Sequence, residues 1–288
     1  MNRRRFLCLT AAALALPGRR ETLSEWQGTG LGTTLTLRLV GATEASARRL
    51  FHRVEAEITR IETLASLYRD SALTRLNRDG RLAWPGDDLA GLLGLAGQVH
   101  AATGGAFDPT VQPLWRALAT GQDTTAAAAL IGWHRVRVAP QEIRLAPGQQ
   151  LTLNGIAQGW AADRIAALLR ANGFANALVD MGETRSMGHR PDGADWQAQI
   201  TDANGMPLAS PRLTNRALAT SSPQGTLIAG QPHILGPTGQ PPLWQTVSVS
   251  APSAALADAL STAFCLMPRP AIDAALAAFP GARLEALA

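Results

Sequence analysis

The sequence contains no lysine. All 26 basic residues are arginine, against 22 acidic ones, and they are spread along the chain rather than gathered into a stripe interleaved with aromatics. A net charge of +4 distributed in this way argues against a nucleic-acid partner, which needs such a stripe. An Arg- and Ala-rich genome composition accounts for it. Cysteine is nearly missing as well. Cys8 lies near the N-terminus, and Cys265 sits among Phe264, Leu266 and Met267, where it reads as core filler. No stretch reaches the ~20 apolar residues of a membrane-spanning helix. None of the five histidines is spaced from another as zinc ligands are. There is no Gly-x-Ser-x-Gly elbow, Walker loop or Rossmann fingerprint. What is present is an ordinary core-forming composition, 46% hydrophobic and 17% charged. The 288 residues suit one large domain or two small ones, and neither an internal repeat nor a long linker divides them.

The N-terminus is the first informative stretch. Arg3-Arg4-Arg5-Phe6-Leu7 precedes an apolar run from Cys8 to Leu16, closed by Pro17-Gly18. A charged segment before an apolar run too short to span a bilayer is an export signal, and Arg-Arg-x-Phe-Leu resembles the twin-arginine kind. Cys8 precedes the apolar run, which argues against a lipoprotein cleavage site. The expectation is a signal over residues 1–22, a periplasmic protein beside the inner membrane, and one functional domain over 23–288. Only Cys265 remains in that domain, so no internal disulfide forms.

Alternation of Leu31, Thr33, Leu35, Leu37 and Leu39 with smaller or polar residues predicts a strand with one apolar face. Ala47, Phe51, Val54, Ile58 and Ile61 predict an amphipathic helix over 44–64, and Leu89, Leu92, Leu93, Ala96 and Val99 another over 88–102. Two glycines, two prolines and lone Asp108 make 103–114 an irregular loop, with an Asx-turn as the plain role of Asp108. Residues 120–130 read as a Thr/Ala loop or short helix. Short strand patterns recur in 136–153, 177–179, 196–200 and 246–249. Short strands with few regular intervening helices predict an α+β fold with mostly antiparallel or mixed sheets flanked by helices.

The chain is organised around residues 151–173. A strand over Leu151–Leu153 runs into a helix with Asn154 as N-cap and Gly155 and Gly159 bare in its first turn, ending at Asn172-Gly173. Such a helix start either packs closely or presents N–H groups to a diphosphate. A last helix begins at Ser253 and places Asp258 and Thr262 one turn apart on one face. Their oxygens suit Mg²⁺, and the plainer reading is a hydroxyl bonded back to a helix carbonyl. His233 stands in a Gly/Pro-rich loop, 233–239, of the sort that carries functional side chains.

Four stretches, in this order, resemble the ApbE family of FAD:protein FMN transferases. They are Thr103-Gly-Gly-Ala-Phe-Asp-Pro-Thr-Val-Gln-Pro-Leu114, Leu153-Asn-Gly-Ile-Ala-Gln-Gly-Trp-Ala-Ala-Asp163, the His233 loop, and Ala257-Asp-Ala-Leu-Ser-Thr262. Leu31-Gly-Thr33 and Met181-Gly-Glu183 match more weakly. The resemblance implies the family's T-fold-like architecture and an exported enzyme that moves FMN from FAD to a Thr or Ser hydroxyl of a partner flavoprotein, releasing AMP. It implies Ala106, Phe107, Asp108, Leu31, Tyr68, Thr152, Gln158 and Leu235 at FAD. It implies Gly155 (through its carbonyl), Asp258, Ser261 and Thr262 at Mg²⁺, and His233 as catalytic base. The implied acceptor is a membrane-anchored respiratory electron-transfer subunit. Two positions depart from the pattern: Gly236 and Thr152 each stand where the family carries an acid. An Mg²⁺-dependent FAD pyrophosphatase and a non-catalytic FAD-binding protein are the alternative functions.

Overall fold

The computed structural model describes residues 21–288 and the backbone of Leu7–Cys8; the rest of the expected export signal lies outside the described residues. The frame is a seven-stranded antiparallel sheet whose strands follow one another in chain order: β1 (Leu23–Gly30), β2 (Thr33–Val40), β3 (Ala177–Asp180), β4 (Thr184–Met187), β5 (Ala217–Ser221), β6 (Val247–Ala251) and β7 (Arg283–Leu287). The period-2 pattern decides its faces. Leu35, Leu37, Leu39, Ala177, Val179, Ala217 and Ala219 point to one side, and Val40, Leu178 and Leu218 to the other.

Helices cover the first side. Helix α1 (Glu44–Ala65), capped by Thr43, buries Ala47, Leu50, Val54, Ile58 and Ile61 against it. Two further helices share this layer, and the order of the rest is α2 (Ala72–Asp79), α3 (Gly86–Ala102), α4 (Gln112–Thr120), α5 (Thr124–Ala128), α6 (Ala157–Ala171), α7 (Ala254–Phe264) and α8 (Arg269–Ala277). Helices α6 and α7 complete the first layer, while α2, α3 and α8 pack on the far side of α7 in a second core that takes in Cys265. Burial pushes the Cys265 thiol well above its ordinary value, as a core position requires. Short strands from Trp196 to Leu213 cover the other side of the sheet.

The α+β reading holds, and four local expectations are corrected. Leu31 belongs to the β1–β2 turn, not to the strand: Leu31 and Gly32 both have positive φ, 51° and 75°. The segment 196–200 divides into Trp196–Gln197 and Gln199–Thr201, which pair with different partners. Leu151–Leu153 forms no strand, because the side chain of Asn77 takes both backbone groups of Leu151, accepting its N–H at 2.7 Å and donating to its carbonyl at 2.8 Å. Asn154 is not the N-cap of α6. The cap is Ile156, which offers no capping side chain.

The missing capping side chain is replaced from across the fold. The Asp258 carboxylate, on α7, accepts the Gly159 N–H in the first turn of α6 at 3.0 Å. In return Asp163, on α6, accepts the N–H groups of Ala254 and Ala255 at the start of α7, at 2.9 and 3.0 Å. Each helix caps the other. Their approach requires Gly159: a β-carbon there would stand 2.1 Å from the Ala254 carbonyl oxygen.

Candidate active site

One open cleft lies over the junction of α6, α7 and the end of β5. Three separate loops wall it. The first is Ala106–Asp108, held by its own polar atoms. Gly104 and Gly105 turn the chain at positive φ. The Thr103 hydroxyl accepts the Phe107 N–H, and the Phe107 carbonyl lies 2.9 Å from His100 Nδ1. Asp108 is buried and accepts from the N–H and hydroxyl of Thr110 at 2.8 and 2.6 Å. The Asx-turn is therefore real, and the same residue also lines the cleft.

The second wall is Thr152–Gln158. The Thr152 N–H donates to the Pro109 carbonyl at 2.8 Å, tying this wall to the first. Gly155 lies against α7 and Phe107: a β-carbon there would meet Thr262 Oγ1 at 3.0 Å and Phe107 at 3.3 Å. The third wall is the loop that carries His233. Its Nδ1 sits 3.0 Å from the Pro223 carbonyl and 3.1 Å from that of Thr226. Carbonyl oxygens only accept, so Nδ1 carries the proton in neutral imidazole and Nε2 is the basic nitrogen.

Of the residues singled out from the sequence, Tyr68, Ala106, Phe107, Asp108, Thr152, Gly155, Gln158, His233, Leu235, Asp258 and Thr262 all line this cleft. Tyr68 is 73% exposed and stands at the mouth. Two are set back. Leu31 does not line the cleft and is tied to it through Gln158, whose Nε2 donates to the Leu31 carbonyl at 3.2 Å. Ser261 is fully buried behind the wall and donates to the Asp258 carbonyl at 3.0 Å. The helix back-bond expected of Thr262 belongs to Ser261 instead. The helix start is corrected too. The Ala157 N–H is bonded to the Leu153 carbonyl and the Gly159 N–H to Asp258, so those two donors serve packing and not a diphosphate.

Sequence reading missed several lining residues. Thr220, Ser221, Ser222 and Thr226 bring hydroxyls to the same cleft, with Ser221 2.9 Å from Ser261 and 3.5 Å from Thr262. Buried Glu183 accepts the Thr220 N–H at 3.2 Å. The run Thr220-Ser221-Ser222-Pro223, polar where a buried strand should stay apolar, was the available signal.

The donors on the α7 side are one carboxylate and hydroxyls, with the Gly155 backbone against them. Among the described residues no three His, Cys, Asp or Glu side chains cluster to hold a metal unaided. Hard oxygen donors with a single carboxylate fit Mg²⁺, which keeps waters and completes its shell with substrate phosphates.

Fold and cleft together define an α+β protein with one open cleft lined by hard oxygen donors. A family model described as the ApbE family matches residues 31–287, and the chain belongs to that family. FAD:protein FMN transferases from Klebsiella pneumoniae and Salmonella typhimurium are 29% and 28% identical to it, over 90% and 84% of this chain and 82% and 77% of theirs. The apo crystal structure of the Pseudomonas stutzeri flavinyl transferase ApbE superposes with a TM-score of 0.77 at 28% identity, covering 88% of both chains. The Vibrio cholerae flavin transferase ApbE shares the fold, with a TM-score of 0.78 at 24% identity over 89% of this chain and 91% of that one.

Proposed function

We propose that this chain transfers FMN from FAD to a Thr or Ser hydroxyl of a partner flavoprotein and releases AMP. The observation that carries this is the meeting, in one open cleft, of the Ala106–Asp108 loop, the Asp258–Thr262 pair and His233. In the reaction the acceptor oxygen bonds to the FMN phosphorus, the phosphorus–oxygen bond to AMP breaks, and the hydroxyl proton must leave. His233 Nε2 takes that proton, because Nδ1–H is committed to the Pro223 and Thr226 carbonyls and holds the ring in one tautomer. Asp258, Thr262 and the Gly155 backbone would hold Mg²⁺, which supplies charge neutralisation at the diphosphate. The Ala106–Asp108 loop and Gln158 hold the nucleotide, and Tyr68 meets the flavin at the mouth. The acceptor threonine comes from outside, through that mouth.

The deciding experiment incubates the purified protein with FAD, Mg²⁺ and a flavin-acceptor domain. Yellow-green fluorescence retained by the acceptor band on a denaturing gel is the expected result. Free FMN and AMP without labelled acceptor make the protein a pyrophosphatase, and unchanged bound FAD makes it a binding protein. The arginine-rich N-terminus supports export to the periplasm, where a membrane-anchored respiratory subunit would meet the cleft. Replacing Arg3 and Arg4 by lysine then retains the protein in the cytoplasm.

A further inference from the structure

Folding gathers arginines that are scattered in the sequence. Three short strands, Arg81–Ala83, Glu142–Arg144 and Arg137–Val138, form a small antiparallel sheet. Its register places Arg81 and Arg137 on either side of Arg144, all three exposed in one rung. Ile143 in the neighbouring rung is fully buried, so the arginine rung faces outward. Like charges directly opposite one another destabilise a sheet. Arg144 is offset by Glu142 at 2.7 Å. Arg81 and Arg137 have no ion-pair partner within 4.0 Å among the described residues.

The rung runs into a groove. Arg78, Arg81, Arg116 and Arg144 line it together with one carboxylate, Asp79, which pairs with Arg78 at 2.7 Å, and Asn77, Gln149 and Gln150 supply neutral hydrogen-bonding groups. Arg116, on α4, likewise has no ion-pair partner among the described residues, and Trp84, with a positive φ of 50°, stands 77% exposed at the edge of the small sheet. Arginine is enriched at protein-binding surfaces. The groove adjoins the cleft. Arg116 follows Trp115, which lines the cleft, and Gln150 lies two residues from Thr152, so the two walls are within about 7 Å along the chain.

We propose that this groove docks an acidic segment of the acceptor polypeptide and so delivers its hydroxyl to the neighbouring mouth; this rests on the transferase reading above. Its concave shape and amide lining favour a polypeptide over a flat lipid surface. Asp79 offsets one arginine charge of the four, the carboxylates of the segment supply the direct ion pairs that Arg81 and Arg116 do not make among the described residues, and the field of the rung draws it in before contact.

The test measures binding without requiring turnover. A fluorescent synthetic peptide carrying one threonine flanked by aspartates is titrated against the full chain and against Arg81→Gln/Arg116→Gln, with FAD affinity measured on both. The expected result is about tenfold weaker peptide binding by the variant. Wild-type affinity should fall with salt, FAD affinity should be equal in both proteins, and the melting temperature should be no lower. An aspartate-to-asparagine version of the peptide should not distinguish the two proteins. Equal affinity of both proteins for the acidic peptide overturns the proposal. So does a variant that loses binding only to phosphatidylglycerol vesicles, which makes the groove a lipid site. Failure of the wild type to bind FAD or label any acceptor counts against the transferase reading and leaves the peptide result to judge the groove.

Discussion

The floor of the cleft and its rim are built in opposite ways. The floor, where α6 meets α7, is locked by backbone: Gly159 lies under the Ala254 carbonyl, and Asp258 and Asp163 cap each other's helices. The rim around His233 is a two-stranded hairpin, Leu227–Ile228 and Gln231–Pro232, turned at Ala229-Gly230 and held to its neighbours by Ile228, Ile234 and a few polar contacts. Oxygen donors for a metal need fixed positions, and a floor of interlocked backbone provides them. A base that must meet a hydroxyl from another protein needs access, and a thin rim provides that. The same apparent overlap therefore means different things in the two places. A β-carbon at Gly159 or at Gly236 would stand 2.1 Å from its nearest neighbour, but at Gly159 that neighbour is backbone, and at Gly236 it is the end of the Gln240 side chain.

The largest effect should come from the rim's chemistry. His233→Ala should slow single-turnover transfer by about 10²–10⁴-fold and leave FAD affinity within a few-fold of wild type. Weak FAD binding with normal turnover would mean that His233 only shapes its loop. On the floor, Asp258→Asn keeps an oxygen acceptor for the Gly159 N–H while removing the charge. Turnover with Mg²⁺ should fall about 10²–10³-fold with little change in stability. Asp258→Ala should in addition orphan a buried donor, at a cost of about 1–3 kcal/mol in denaturant titrations. An Asp258→Asn enzyme with normal metal-dependent turnover would confine this residue to capping.

Gly159→Ala should destabilise the protein by about 3 kcal/mol, because two helix backbones must separate. A denaturation midpoint near that of wild type would show that the floor yields. Gly236→Ala should be the mildest, under about 1 kcal/mol, since Gln240 can swing aside. A loss as large as that of Gly159→Ala would erase the contrast between floor and rim.

The departures from the family pattern look different in three dimensions. Gln240 fills the space above Gly236, where its Oε1 accepts from the N–H of Thr238 at 3.1 Å and from the Thr238 hydroxyl. An acid at this position would need that amide to leave. Thr152 lines the cleft, and its hydroxyl accepts the Asn154 N–H at 3.2 Å, so it shapes the second wall instead of adding charge.

What could be read in the sequence was local. The stripe of α1, the alternation of β2, the Ser253 cap of α7 and the Asx-turn at Asp108 depend on residues within a few positions of each other, and each forms as read. Family-like segments could be placed in one site because their order along the chain is itself a signal. What could not be read depended on distant partners. Asn154 has the chemistry of an N-cap, but Asp258, 99 positions away in sequence from Gly159, takes the role. Leu151 and Leu153 have the pattern of a strand, but the amide of Asn77, 74 positions away from Leu151, takes its backbone groups before a ladder can form. The arginines show the same division. In the linear chain Arg81, Arg116, Arg137 and Arg144 are four unremarkable charges in a lysine-free composition. Arginine is almost never fully buried unless paired, so the sequence determined that they would be solvated. Only strand register and the packing of α4 made them one electrostatic surface, because charge acts across the few ångströms between side chains and not along the backbone between them.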